Sequence, residues 1–154
     1  MKLSRIFFSG LLLLGVSFSN AQQQIIPKPS EITISGEHPV RLDEKSYILI
    51  MSRDQAFLDR ARQMQQILEK GTGIKLPLYT PSSAPKELDP GKGIVIKKDD
   101  SLMEKGEEAY SIDASPTGIL LGGSTPKGVF YAVQSMIQML PVEFHDKNAA
   151  KKDI

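Results

Sequence analysis

The chain has 154 residues, with 19 Lys and Arg against 18 Asp and Glu, no Cys and no Trp. That length allows one domain of roughly 100–200 residues, able to bury about two thirds of its unfolded surface without staples. The missing cysteines exclude a disulfide framework, an Fe–S cluster, thiolate zinc and a cysteine nucleophile, and the balanced charge leaves no electrostatic footprint for nucleic acid.

Residues 1–21 read as a secretory signal peptide. Lys2 and Arg5 form a positive n-region, Ile6 to Phe18 is apolar, and Ser19-Asn20-Ala21 places small residues before a cut between Ala21 and Gln22. The apolar stretch is about 13 residues long, against about 20 for a spanning helix, so the reading is export with cleavage and no membrane contact afterwards. No cysteine stands at the cut, which excludes a lipid-modified N-terminus. A cysteine-free exported chain suits a periplasmic or secreted bacterial protein.

The expected mature chain opens with Ile25-Ile26-Pro27-Lys28-Pro29, extended because of its prolines. Ile32-Thr33-Ile34 alternates as a strand, Gly36 to Pro39 turns, and Val40-Arg41-Leu42 is a candidate short strand. Tyr47 to Met51 is a continuous apolar run, consistent with a strand buried on both faces. Ser52-Arg53-Asp54-Gln55 fits a capping box with Ser52 as the cap. Phe57, Leu58, Ala61, Met64 and Leu68 then follow helical spacing, with Arg60, Arg62, Gln63, Gln66 and Glu69 on the wet side, until Gly71 and Gly73 stop the helix.

Ile74 to Tyr79 reads as an edge strand, because Pro77 cannot donate to a ladder. Thr80 to Gly93 is a proline-punctuated loop, Ile94-Val95-Ile96 a strand, and Asp99 to Gly106 a charged connection. Ala109 to Ala114 and Ile119 to Leu121 form a hairpin around Ser115-Pro116-Thr117-Gly118. Thr125-Pro126 opens a second helix with Thr at the N-cap and Pro at its first position. Val129, Ala132, Val133, Met136, Ile137 and Leu140 line its apolar stripe before Pro141 ends it, and Val142 to Ile154 is polar with no closing element. Two helices and about six strands, mostly in hairpin-like order, predict an α+β fold: a mixed sheet with both helices on one face.

No chemistry stands out. Gly123-Ser-Thr-Pro-Lys-Gly128 lacks the Lys-Ser/Thr that a phosphate loop needs after its second glycine, so it reads as a strand exit and helix start. His38 and His145 have no second ligand at helical spacing. The doublets Asp99-Asp100 and Glu107-Glu108, and Asp113, read as solvated charge, since adjacent acids on a strand point to opposite faces. Capping accounts for Ser124 and Thr125, and no histidine–acid relay serves any serine. The residues themselves yield no catalytic, cofactor-binding or metal site.

Glu108-Ala-Tyr-Ser-Ile-Asp-Ala-Ser-Pro-Thr-Gly118, followed by Ile119-Leu-Leu-Gly-Gly-Ser-Thr-Pro-Lys-Gly128-Val-Phe-Tyr131-Ala-Val-Gln134-Ser-Met-Ile-Gln138-Met-Leu140-Pro141, resembles the end of the N-terminal domain of glycoside hydrolase family 20, the β-N-acetylhexosaminidases. Ile25-Ile-Pro27-Lys-Pro29 is similar to the start of that domain, and the helix ending in Gly71-Thr-Gly73 to its first helix. The resemblance implies a non-catalytic domain over 22–142 and, over 143–154, the start of a linker to a (β/α)8 barrel. That barrel would be the partner in cis and the only route to glycan substrate. It also implies substrate-assisted chemistry there: the sugar's 2-acetamido oxygen attacks its own anomeric carbon, an Asp orients that group, and the adjacent Glu protonates the leaving oxygen. No cofactor is implied.

The Asp-Glu pair of that family, usually within a His-x-Gly-Gly-Asp-Glu stretch, is absent, because Gly122-Gly123 is followed by Ser124-Thr125, and a barrel of roughly 250 residues does not fit in this chain. No catalytic residue carries over, and the chain alone is expected to be inactive. One reading is therefore the leader and accessory domain of a hexosaminidase that releases terminal N-acetylglucosamine or N-acetylgalactosamine. The others are a stand-alone exported binding or interaction module, or the equivalent domain of a family 84 hexosaminidase or an α-glucuronidase.

Overall fold

A computed structural model describes residues 25–26, 28–31 and 40–145. The expected signal segment with Ala21 and Gln22, the strand at Ile32–Ile34, the turn at 36–39 with His38, and the tail 146–154 lie outside the described residues.

Among the described residues five strands form one mixed sheet: β1 (Tyr47–Met51), β2 (Leu78–Tyr79), β3 (Gly93–Lys98), β4 (Tyr110–Ser115) and β5 (Gly118–Gly123), in the order β2-β1-β3-β5-β4. Helix α1 (Gln55–Thr72) connects β1 to β2, and α2 (Pro126–Gln138) follows β5. The α+β architecture with two main helices is as expected, but the hairpin-like order is not. Only β4 and β5 pair antiparallel, whereas β1 runs parallel to both β2 and β3, and β3 runs parallel to β5. The continuous apolar runs of β1, β3 and β5 are the signature of parallel strands at the centre of a sheet.

Alternation divides the sheet. Ile48 and Ile50, Ile94 and Ile96, and Ile119 and Leu121 lie in register on one face and meet Phe57, Ala61, Met64 and Leu68 of α1 and Val129, Ala132, Val133 and Met136 of α2. Burial of these side chains is the main source of stability, at about 1.5–3 kcal/mol for each large apolar group. Leu49, Val95 and Leu120 line the other face and are only partly buried.

Both helices start and stop on local signals. The cap of α1 is Asp54, not Ser52: the Asp54 carboxylate accepts from Ala56 N at 2.8 Å, while Ser52 Oγ accepts from Asp54 N at 3.2 Å and shapes the entry. An ionised carboxylate at the helix N-terminus is favoured over a hydroxyl by the aligned peptide dipoles. Gly73, at φ 80°, ends α1, and its amide donates to Glu69 O. Thr125 caps α2 and Pro126 begins it, as its sequence demands. The side-chain amide of Gln138, at the end of α2, exchanges two hydrogen bonds with the backbone of Ile26, at 2.9 and 2.8 Å.

The remaining expectations shift by small amounts. The edge strand at 74–79 shrinks to Leu78–Tyr79, because Pro77 has no amide to pair and Leu76 O is taken by Gln65 Nε2 at 2.6 Å. Val40-Arg41-Leu42 is not a strand, although Leu42 is buried. The charged connection folds as a 3-10 helix over Asp100–Lys105, capped by Asp99 and anchored by the buried Leu102. The polar tail does begin with an element: α3 (Val142–His145) inserts Phe144, 7% exposed, against Gly71. Among the described residues no helix is long and apolar enough to cross a membrane.

Candidate functional site

The residues with chemical potential are spent on structure. Ser124 Oγ donates to Gly106 O at 2.7 Å, and Thr125 Oγ1 donates to Glu107 O at 2.6 Å. Thr125 Oγ1 also accepts from the amides of Lys127 and Gly128, at 3.1 and 3.5 Å. The helix start therefore offers neither a free hydroxyl nor the free amides of a phosphate cradle. Its glycines serve close approach. A Cβ on Gly128 would stand 2.3 Å from Ala109 O, and one on Gly123 would stand 2.4 Å from Val129 N.

Several carboxylates are paired or capping. Asp99 accepts from Ser101 Oγ at 2.6 Å and Ser101 N at 3.1 Å, with Lys97 Nζ at 3.7 Å. The Ser101 hydroxyl foremost holds its carboxyl below the usual range. Asp100 pairs with Lys98 at 2.7 Å. Glu108 pairs with Lys127 at 2.6 Å, and that hydrogen bond raises the lysine's pKa. Asp43 is held low by its hydrogen bond from Lys92. Burial, and secondarily the charge of Asp89, push the Tyr47 phenol up. Both carboxyls with a marked shift are thus moved away from neutrality, the opposite of what a general acid at neutral pH needs. Asp113 is exposed. His145 is exposed and meets Phe144 edge-on at 5.1 Å. Among the described residues no three His, Cys, Asp or Glu side chains come together as a metal site.

Two grooves open among the described residues. One, of about 330 Å³, lies at the strand ends between Arg41, Asp89, Lys92 and Pro116. The other, of about 590 Å³, lies on the outside of the helix layer between Arg60, Lys127, Phe130 and Tyr131. Arg60, expected on the wet side of α1, is one of its walls. The guanidinium lies 5.4 Å from the centre of the Phe130 ring, and its Nε is buried with no acceptor among the described residues. Phe130 in turn meets Tyr131 edge-on at 5.5 Å. The sequence holds one signal for this cluster: Phe130 and Tyr131 lie off the apolar stripe of α2, where a solvated helix face carries polar side chains. The arrangement can bind a surface; it has no group placed to transfer a proton or attack a bond.

The family model of glycosyl hydrolase family 20, domain 2, matches residues 22–152. A β-hexosaminidase of Porphyromonas gingivalis is 27% identical over 124 residues, which cover 80% of this chain and 15% of that protein. The solved family 20 β-N-acetylhexosaminidase of Streptomyces coelicolor superposes with a TM-score of 0.60 at 24% identity, over 79% of this chain and 22% of that one. The N-acetyl-β-hexosaminidase of Streptomyces plicatus superposes with the same TM-score at 21% identity and the same coverage. The chain thus spans 15% of the curated relative's length and 22% of these solved chains.

Proposed function

The chain belongs to glycosyl hydrolase family 20 as its domain 2, and from that premise we propose that it is the exported, non-catalytic accessory domain of a β-N-acetylhexosaminidase. The parent enzyme would release terminal N-acetylglucosamine or N-acetylgalactosamine from glycans. The observation that carries the reading is one of spans: residues 22–152 match the accessory-domain model, while the aligned stretch makes up only 15% of the β-hexosaminidase it resembles. Two features support it. Asp54 and Asp99 serve as caps and Asp43, Asp100 and Glu108 hold lysines, which supports placing the hydrolytic acid in another domain. The fold also leaves two surfaces, the outer helix layer and the second sheet face, with apolar groups it does not itself bury.

In this reading the domain contributes position. It packs on the (β/α)8 barrel that holds the Asp-Glu pair and reaches glycan only through it. Export belongs to the same proposal and rests on Lys2, Arg5, the apolar run and Ala21-Gln22. The first experiment is to sequence the source DNA beyond codon 154. An open frame encoding a barrel with a Gly-Gly-Asp-Glu stretch is expected. A stop codon at position 155 overturns the accessory-domain reading and leaves a stand-alone exported module. N-terminal sequencing of the exported product should begin at Gln22, and a product retaining Met1 in the membrane fraction overturns the cleavage.

A further inference from the structure

We propose that Arg60, laid on Phe130 in the groove between α1 and α2, is the anchor through which this domain seats on its catalytic domain, receiving a carboxylate ringed by apolar carbon. The inference rests on the accessory-domain reading and names the surface that reading requires. Three observations carry it.

The first is charge. Arg60 has no carboxylate within ion-pair distance among the described residues, whereas the groove's other cation, Lys127, already holds Glu108 at 2.6 Å. Among the described residues the one polar contact of the guanidinium is Nη1 donating to Gln63 Oε1 at 3.1 Å. Its Nε is shut off from water without an acceptor. A partly desolvated, unneutralised guanidinium draws a carboxylate more strongly than a solvated one does, and Arg forms the shortest and most directional of such pairs.

The second is the pair of rings. Phe130 and Tyr131 stand outside the core that joins the sheet to the helices, yet both are half-buried and packed edge-on. Aromatic side chains beside an arginine, around a concavity, are what concentrates binding energy at a protein–protein contact.

The third is the contrast with the bare sheet face. There Lys97 is already paired with Asp99, and the half-buried Leu49, Val95 and Leu120 are interrupted by Gly122 and the exposed Asp113. That face offers apolar cover, but its charge unpaired among the described residues, Asp113, stands exposed to water rather than half-buried beside aromatic rings.

Tyr131 marks the groove and Tyr79, in register with Leu49, marks the bare sheet face, and both are half-buried in this chain. The full-length product of the gene is treated with tetranitromethane, and nitration at each tyrosine is followed by mass spectrometry. Tyr131 is expected to be modified several-fold more slowly than Tyr79. Equal or faster modification of Tyr131 overturns the proposal. So does protection of Tyr131 that disappears when a dimer is diluted to monomer, since a second copy would then be the occupant. Arg60→Glu in the same full-length protein should split one cooperative thermal transition into two, while Met51→Lys, at an exposed position on the sheet face, should leave it single. A single wild-type transition for Arg60→Glu overturns the proposal. If Arg60→Glu unfolds the accessory domain itself, the nitration pattern of the wild-type protein still decides. Failure of the function reading shows separately, as the absence of a barrel-encoding frame.

Discussion

Met136 is 3% exposed beneath the sheet, on the α2 stripe that its spacing predicts. Met136→Asp would bury an unpaired carboxylate there and should cost about 3–5 kcal/mol. Urea unfolding measures it, and a wild-type midpoint would mean that the stripe faces elsewhere. Asp43 tests the electrostatics. Its hydrogen bond from Lys92 lowers its pKa below the ordinary 3.8, so its contribution is complete above the unfolded value and disappears as pH falls through the lower, folded one. Wild type should therefore exceed Asp43→Asn in stability at about pH 6, with the gap closing by about pH 2. A gap that persists at low pH would show that the effect is not ionic. The pair is partly solvated, so the gap is small. Residue roles were legible where they are local: Thr125 as a cap, Pro126 at the first helical position, Gly73 as a stop. Arg60 was not legible as a groove residue. Its place on α1 reads as wet, and only the arrival of Phe130 from α2, seventy positions along the chain, roofs it.

The junction of β5 with α2 is the most demanding element contact. Gly128 lets the first turn of α2 pass directly over Ala109 O, and Tyr110 reaches Ser135 across the same seam, hydroxyl to hydroxyl at 2.8 Å. Gly128→Val would force the helix off the strand and should cost at least about 2 kcal/mol, against a change within about 0.5 kcal/mol for Ser82→Ala in the exposed loop. Thermal melts followed by circular dichroism compare the two, and equal melting temperatures would contradict the close approach. The β4–β5 hairpin was legible because its turn is local: Gly118 sits at φ 107°, and any Cβ there would meet Pro90 O at 2.5 Å. The helix α3 was missed for the opposite reason. Four residues after a proline carry no periodicity, and Phe144 is buried because Gly71, half a chain away, leaves room for its ring.

At the scale of the whole molecule, one sheet carries a filled face and a face that the helices leave open. Asp43 and Asp99 are held below the ordinary carboxylate range by their hydrogen bonds, and the Gly-Gly-Asp-Glu stretch of the family does not occur in the sequence, so the 22–154 chain should release no p-nitrophenol from p-nitrophenyl N-acetyl-β-glucosaminide. Turnover by the pure chain would refute the assignment of catalysis to another domain. By itself the sequence determined the two long helices and their apolar stripes, the cap and first residue of α2, the β4–β5 turn and the family, because periodicity, capping and turn chemistry act over a few residues and survive in any register of the whole. Only the tertiary structure decided the order β2-β1-β3-β5-β4, the parallel pairing at its centre, the burial of Phe144 and the placing of Arg60 on Phe130. Those depend on which distant segments bury each other most fully, and an apolar run reads the same whichever neighbour it finds and in whichever direction that neighbour runs.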